Sequence, residues 1–297
     1  MIANVKEKNP SFNLGAYIQL TKPSIIYLLV LTAATAMFLV DGFETNILMA
    51  LTGIFGIGLI AASSAAINQI LDLEIDAKMK RTDKRPLVAG KIPVINAITF
   101  AAILFIIGSF LLLTFNNFLS WALTVATWIF YAFLYTRILK FAGPQNIVIG
   151  GLAGAMPPVL GWVALTGSIS PLPLLLVAII FVWTPPHFWA LAIYRRDDYA
   201  RESIPMLPVT HGVKFTKLQI ILYTILLFIV SLLPYVVLMS GVIYLIASLV
   251  LGIIYLYTSF KMYFYDDNDY PMVSFQYSVY YIFLIFAALL LDHFLVQ

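Results

Sequence analysis

The chain contains no cysteine, so neither a disulfide framework nor a thiolate metal site is available to it. Charge is scarce as well. Asp, Glu, Lys and Arg make up 10% of the residues, against about 25% in an ordinary soluble domain. So few charges cannot cover a water-facing surface, which excludes a soluble globular enzyme. The 62% hydrophobic content excludes a disordered chain, since disorder needs low hydrophobicity and high charge. Histidine is limited to His187, His211 and His293. The net charge of +3 is too small to suggest a nucleic-acid partner.

Long apolar runs are abundant. Nine can be marked: Tyr17–Val40, Asn46–Leu71, Val94–Phe115, Phe118–Tyr135, Gln145–Leu165, Leu172–Tyr194, Leu218–Ser240, Val242–Tyr263 and Met272–Leu295. Each is long enough to cross about 30 Å of hydrocarbon as a helix, the form in which a spanning segment pairs its own backbone groups. The expected fold is all-α: a polytopic membrane bundle of nine transmembrane helices forming one domain over 1–297. Met1–Pro10 is polar and has neither a signal-peptide core nor an Arg- and Ser-rich presequence, so the first span is expected to stay in the mature protein.

The basic residues fall on one side of this bundle. Lys6, Lys8 and Lys22 precede or begin span one. Lys78, Lys80, Arg81, Lys84, Arg85 and Lys91 lie between spans two and three, and Arg137 and Lys140 between four and five. Arg195, Arg196, Arg201, Lys214 and Lys217 lie between six and seven, and Lys261 sits near the end of span eight. These are all seventeen Lys and Arg residues. The positive-inside rule then places the N-terminus and these loops in the cytoplasm and the C-terminus outside. A bacterial plasma membrane is the expected location. The loops alternate large and small, which suggests two similarly oriented halves, 17–140 and 145–263, with span nine (272–295) appended. Membrane proteins often bind substrate at such a repeat interface.

Two mixed-charge clusters stand out. At the end of span two, Asn68, Asp72 and Asp76 are spaced i, i+4, i+8, which stacks them on one helical face. Oxygen ligands of this kind suit Mg²⁺, which usually binds through one or two carboxylates plus substrate phosphates. Arg81, Lys84 and Arg85 follow at once, and guanidiniums grip oxyanions. Solvated loop charges would account for the basic residues alone. Acids repeated at a span end are costly and tend to mark function. At the end of span six, Arg195, Asp197, Asp198 and Glu202 repeat the arrangement, with Asp198 and Glu202 again four apart. Two facing carboxylate clusters could clamp a magnesium diphosphate. Asp266, Asp267 and Asp269 read instead as a solvated, turn-like loop. His187 lies inside span six among Trp183, Pro185, Pro186 and Trp189. It could ligate iron, orient a carboxylate, assist proton transfer or only pack. Tyr135 and Tyr194, beside the charged loops, are the aromatic site candidates.

With these residues in view the chain resembles the intramembrane prenyltransferase superfamily related to UbiA, over nearly its whole length. It is more narrowly similar to the haem-farnesylating branch. The narrower likeness rests on Asn68 to Asp76, Arg81-Thr-Asp-Lys-Arg85-Pro-Leu-Val-Ala-Gly90 and Asn146-Ile-Val-Ile-Gly-Gly-Leu-Ala-Gly-Ala-Met-Pro-Pro158. It continues in Trp183-Thr-Pro-Pro-His187-Phe-Trp189 and Asp198-Tyr-Ala-Arg-Glu-Ser-Ile-Pro-Met-Leu-Pro208. The resemblance implies that farnesyl diphosphate is bound through Mg²⁺ and that its farnesyl group is added to a vinyl carbon of haem B. Water supplies a hydroxyl, and haem O and diphosphate result. It assigns Asn68, Asp72, Asp76, Asp198 and Glu202 to the metal and catalysis. Glu202 stands where the superfamily has Asp and carries its carboxylate on a longer stem. Arg81, Lys84, Arg85, Lys140, Asn146 and Arg195 would bind diphosphate, and His187, Trp183, Tyr135 and Tyr194 would face the haem. Haem-pathway enzymes in the same membrane are the expected protein partners. Two rivals remain at this point: a prenyltransferase acting on a quinone precursor, and a secondary transporter using the repeat and the acidic pairs.

Overall fold

The computed structural model describes residues 13–79, 82–265 and 269–296. All regular structure among them is helical. Eight helices are long and apolar enough to cross a membrane, and a bent pair supplies a ninth crossing.

Span one is that pair: α1 (Leu14–Leu20) and α2 (Pro23–Phe38) meet at 57°. A 3-10 turn, Phe43–Asn46, leads into α3 (Ile47–Leu71), followed by the single turn α4 (Leu73–Asp76). Next come α5 (Val94–Phe115) and α6 (Phe118–Ile129), the latter running through a π-helical stretch, Phe130–Leu139, into α7 (Lys140–Ala142). Span five is α8 (Asn146–Ala155) with α9 (Pro157–Thr166), and span six is α10 (Pro171–Tyr194). The second large loop holds α11 (Arg196–Arg201) and α12 (Leu207–Thr210). The last spans are α13 (Val213–Val236), α14 (Val242–Phe264) and α15 (Tyr270–Val296).

Three boundaries differ from the hydropathy reading, each for a local reason. Tyr17–Val40 is not one helix, because Pro23 has no N–H to continue it and Lys22 takes a left-handed conformation, φ 53°. Span four does not stop at Tyr135 but runs to Ala142, since an exposed Arg137 does not interrupt a helix at a membrane boundary. Span seven starts at Val213 and ends at Val236, so Lys214 and Lys217 lie within its first turns. Leu238, at φ 60°, turns the chain before α14.

Lipid tails are as apolar as leucine, so close packing rather than hydrophobic collapse holds such helices together. α3 packs on α2, α5, α9 and the π-helical stretch, while α10 packs on α8, α13 and α15. α15 also touches α2, closing the circuit of spans. Glycine allows the tightest crossings. A Cβ at Gly161 would lie 2.3 Å from the Ala33 carbonyl oxygen, and one at Gly108 would lie 2.8 Å from that of Gly56. Backbone therefore meets backbone at the α9–α2 and α3–α5 crossings.

The charged end of the bundle is built around apolar anchors. Leu87 and Ile92 of the first large loop are buried with Ala16, Leu20, Ala66 and Ala97, which ties that loop to α1, α3 and α5. Met79 from the same loop shares a second cluster with Trp189, Tyr199, Ile204, Met206 and Leu207. The two large loops thus share one core, which brings the two charged clusters to the same mouth.

Candidate functional site

The ladder begins inside α3 and outlasts it. Asp72 closes α3 with φ −88° and ψ 2°, yet the Asp72 N–H still donates to the Asn68 carbonyl (2.9 Å) and that of Asp76 to the Asp72 carbonyl (2.8 Å). The i, i+4, i+8 register survives the break. All three side chains are buried: Asn68 is 4% exposed, Asp72 5% and Asp76 2%. Buried charges require partners, and each rung has one. Lys140 Nζ lies 2.9 Å from Asp72. Arg85 pairs with Asp76. Lys22 Nζ donates to Asn68 Oδ1 at 2.6 Å and reaches Tyr131 Oη at 3.5 Å.

Asn68 organises this array. Its amide nitrogen donates to Asp72 Oδ2 (3.0 Å) and to Thr136 Oγ1 (3.0 Å) while its oxygen accepts from Lys22. Thr136 is aimed by the π-helical register, its hydroxyl donating five residues back to the Tyr131 carbonyl (2.8 Å). π-bulges often occur at functional sites. Here one presents Thr136 and Tyr131 together and carries the chain on to Lys140. The Tyr135 ring stacks on that of Tyr131, with centroids 5.7 Å apart, and it fills the space that a Cβ on Gly150 of α8 would occupy.

The first large loop delivers Arg85 by a compact turn. The Thr82 hydroxyl donates to the Asp76 carbonyl (2.9 Å), and the Arg85 N–H to the Thr82 carbonyl (3.0 Å). Lys84 is exposed. Arg81 lies outside the described residues, as do Lys80, Asp266 and Asp267. At the start of α8, Asn146 is 2% exposed. Its amide donates to the Lys140 carbonyl (3.0 Å), while its Oδ1 is buried without a partner.

The second cluster sits across the mouth. Asp198 pairs with Arg201, and with Arg195 at 3.9 Å. Tyr194, Arg195, Asp197, Asp198 and Arg201 line a shallow concavity, and the Arg195 guanidinium lies 5.1 Å from the Tyr194 ring centroid. Glu202 reaches Lys78 at 3.9 Å, an ion pair that joins the two loops.

Among the described residues, no three acidic or histidine side chains are gathered to hold a metal by themselves. The ladder does offer two buried carboxylates one turn apart, each paired with a basic side chain that a cation could displace. An oxygen-only set with few protein ligands fits Mg²⁺ that also binds substrate phosphate.

His187 lies deeper, about 10 Å along α10 from Tyr194 at 1.5 Å per residue. Its ring is stacked between Trp183 (4.2 Å) and Phe275 (4.5 Å). Ser278 fixes both neighbours: its carbonyl accepts from Trp183 Nε1 (2.8 Å), and its hydroxyl lies 2.6 Å from His187 Nδ1. That hydroxyl also lies 2.6 Å from the Phe275 carbonyl. With Nδ1 engaged by Ser278, Nε2 is the ring nitrogen left to meet a ligand.

Sequence spacing had no means of finding Lys22, Tyr131, Thr136 or Ser278 as site neighbours, because tertiary packing brings them there. The Lys-Pro pair at 22–23 and the tyrosines spaced four apart at 131 and 135 were the available signals.

The UbiA prenyltransferase family profile matches residues 29–291. A relative from Alcanivorax borkumensis named protoheme IX farnesyltransferase is 53% identical over 281 residues, covering 94% of this chain and 93% of that protein. A solved digeranylgeranylglyceryl phosphate synthase structure shares the fold with a TM-score of 0.78 at 23% identity, covering 94% of this chain and 98% of the other. A UbiA homologue from Archaeoglobus fulgidus, solved with GPP and Mg²⁺, aligns with a TM-score of 0.62 at 18% identity, covering 92% of this chain and 99% of the other. The chain belongs to the UbiA prenyltransferase family and, within it, to the protoheme IX farnesyltransferases.

Proposed function

We propose that this chain transfers the farnesyl group of farnesyl diphosphate to a vinyl group of haem B, with addition of water, releasing haem O and diphosphate. The observation that carries the reading is the ladder itself: three buried rungs, each already holding a cationic side chain, at the charged end of an apolar bundle. Diphosphate oxygens can take over these cations, so Lys22, Arg85 and Lys140 pass from ladder to substrate with little change of position. A divalent cation bound with the diphosphate supplies further neutralisation of the leaving group.

The chemistry then balances simply. The C1–O bond of the farnesyl group breaks, and diphosphate leaves with the electron pair. The terminal vinyl carbon of haem bonds to C1. Water captures the cation left on the inner vinyl carbon, and its proton passes to diphosphate or solvent. Fixed cations stabilise the charge that develops on the leaving group. Surrounding apolar spans keep water from the allylic cation before the carbon–carbon bond forms. His187 holds the haem through Nε2, the ring nitrogen that Ser278 leaves free to ligate iron. Asp198, Glu202 and Arg195 close the diphosphate site from the second loop, and Lys84 adds to the basic rim. We assign the charged mouth to the cytoplasmic side of a bacterial cell membrane on the positive-inside pattern. The recurrence of a long span followed by a short acidic helix, α3–α4 and α10–α11, supports the two-half organisation.

Acceptor choice is the direct test. Membranes carrying the protein, given farnesyl diphosphate and Mg²⁺ with equimolar haem B and 4-hydroxybenzoate, are expected to yield farnesylated haem alone by mass spectrometry. Farnesylated hydroxybenzoate with unchanged haem would select the quinone-precursor reading instead.

A further inference from the structure

Between Leu20 and Pro23 the chain turns sharply, and the turn carries Lys22 to the ladder. A continuous helix would send the Gln19 carbonyl to the N–H of residue 23, but Pro23 has none. The bend also deprives the Leu20 carbonyl of its helical donor. The Gln19 carbonyl is met by the Lys22 N–H (3.2 Å), and Gln69 supplies the bond missing at Leu20: its Nε2 donates to Leu20 O at 2.8 Å and also reaches Gln19 O at 3.4 Å. Gln69 is 2% exposed, and its Oε1 is buried without a partner. A buried amide that leaves its own oxygen unsatisfied is an unfavourable choice for packing alone.

Gln69 is the chain neighbour of Asn68. The two adjacent amides of α3 therefore hold the two sides of one elbow, Gln69 its carbonyls and Asn68 its ammonium. The elbow is strained. Lys22 sits at φ 53°, ψ 63°, a left-handed conformation that non-glycine residues keep only where surrounding structure enforces it, often at functional sites.

We propose that Gln69 is a positioning residue for diphosphate binding: it fixes the elbow of span one in the conformation that presents Lys22 to the ladder. Gln69 does not touch substrate; it acts through Lys22. The proposal rests on Lys22 contacting the diphosphate, as argued above.

A double-mutant cycle with full-length protein in membranes tests it, using Gln69→Leu, Lys22→Met and their combination, with separate KM values for farnesyl diphosphate and haem B. Gln69→Leu keeps the bulk and removes the donor. Each single variant is expected to raise KM for farnesyl diphosphate by about tenfold, and the double variant by little more than either, since coupled residues are non-additive. KM for haem B stays unchanged. If Lys22→Met raises that KM but Gln69→Leu multiplies the effect independently, the positioning role is overturned and the Lys22 assignment stands. If Lys22→Met leaves it unchanged, both fall. A matched rise in both KM values on Gln69→Leu would reduce Gln69 to general packing and overturn the proposal.

Discussion

Asp72→Asn and Asp76→Asn are each expected to lower magnesium-dependent farnesyl transfer by at least about 10²–10³-fold, with normal amounts of protein in the membrane. Removing one fixed electrostatic contact at a reacting centre costs on this order, equivalent to about 3–4 kcal/mol. The isosteric amides are the informative variants. Asparagine at position 72 keeps an oxygen acceptor for Lys140, whose side chain is only 13% exposed, whereas alanine leaves that ammonium without one. Asp72→Ala and Asp76→Ala should abolish turnover as well, with insertion into the membrane retained. Activity and membrane content are measured on the same preparations. Near-normal turnover in both amide variants would refute the ladder assignment.

His187→Ala is expected to separate the two substrates. The ring stacks between Trp183 and Phe275 and is held through Nδ1 by Ser278, so only Nε2 remains for haem. Loss of that contact should raise KM for haem B by roughly tenfold to a hundredfold, a range set by about 1.4 kcal/mol per decade. The KM for farnesyl diphosphate should change little, because the ladder lies near the membrane boundary and His187 deeper in α10. Emptying the stack also creates a cavity, and large-to-small core changes destabilise by about 2–5 kcal/mol. His187→Phe, which refills the space without the lone pair, controls for this. Steady-state kinetics with each substrate varied in turn is the measurement. Equal losses for both substrates would leave His187 with a structural role only.

Much of this organisation was legible in the residue order. Val94–Phe115 emerges with the same ends from hydropathy and from structure, because Pro93 opens the helix and Asn116 closes it. The ladder was legible because i, i+4 spacing survives even a helix break at Asp72, where the backbone bonds continue. Hydropathy could not reveal the elbow at Lys22, since averaging over a window erases a two-residue turn. Nor could it reveal the π-helical stretch, because apolar content does not report whether the backbone bonds four or five residues back. The partners of Asn68 come from chain positions 22, 72 and 136. Only the second of these lies within local reach, so the others follow from packing alone. His187 was visible as an unusual residue in an apolar span, but its hydrogen-bond partner Ser278 lies ninety-one residues away.

The most direct test of haem farnesylation is the mass of haem extracted from membranes of cells that express the intact chain, compared with cells expressing the Asp72→Asn, Asp76→Asn double variant. A haem species heavier than haem B by one farnesyl group and one added hydroxyl is expected with the intact chain, and haem B alone with the variant. Identical haem profiles in both, with the two proteins equally abundant in the membrane, would contradict it.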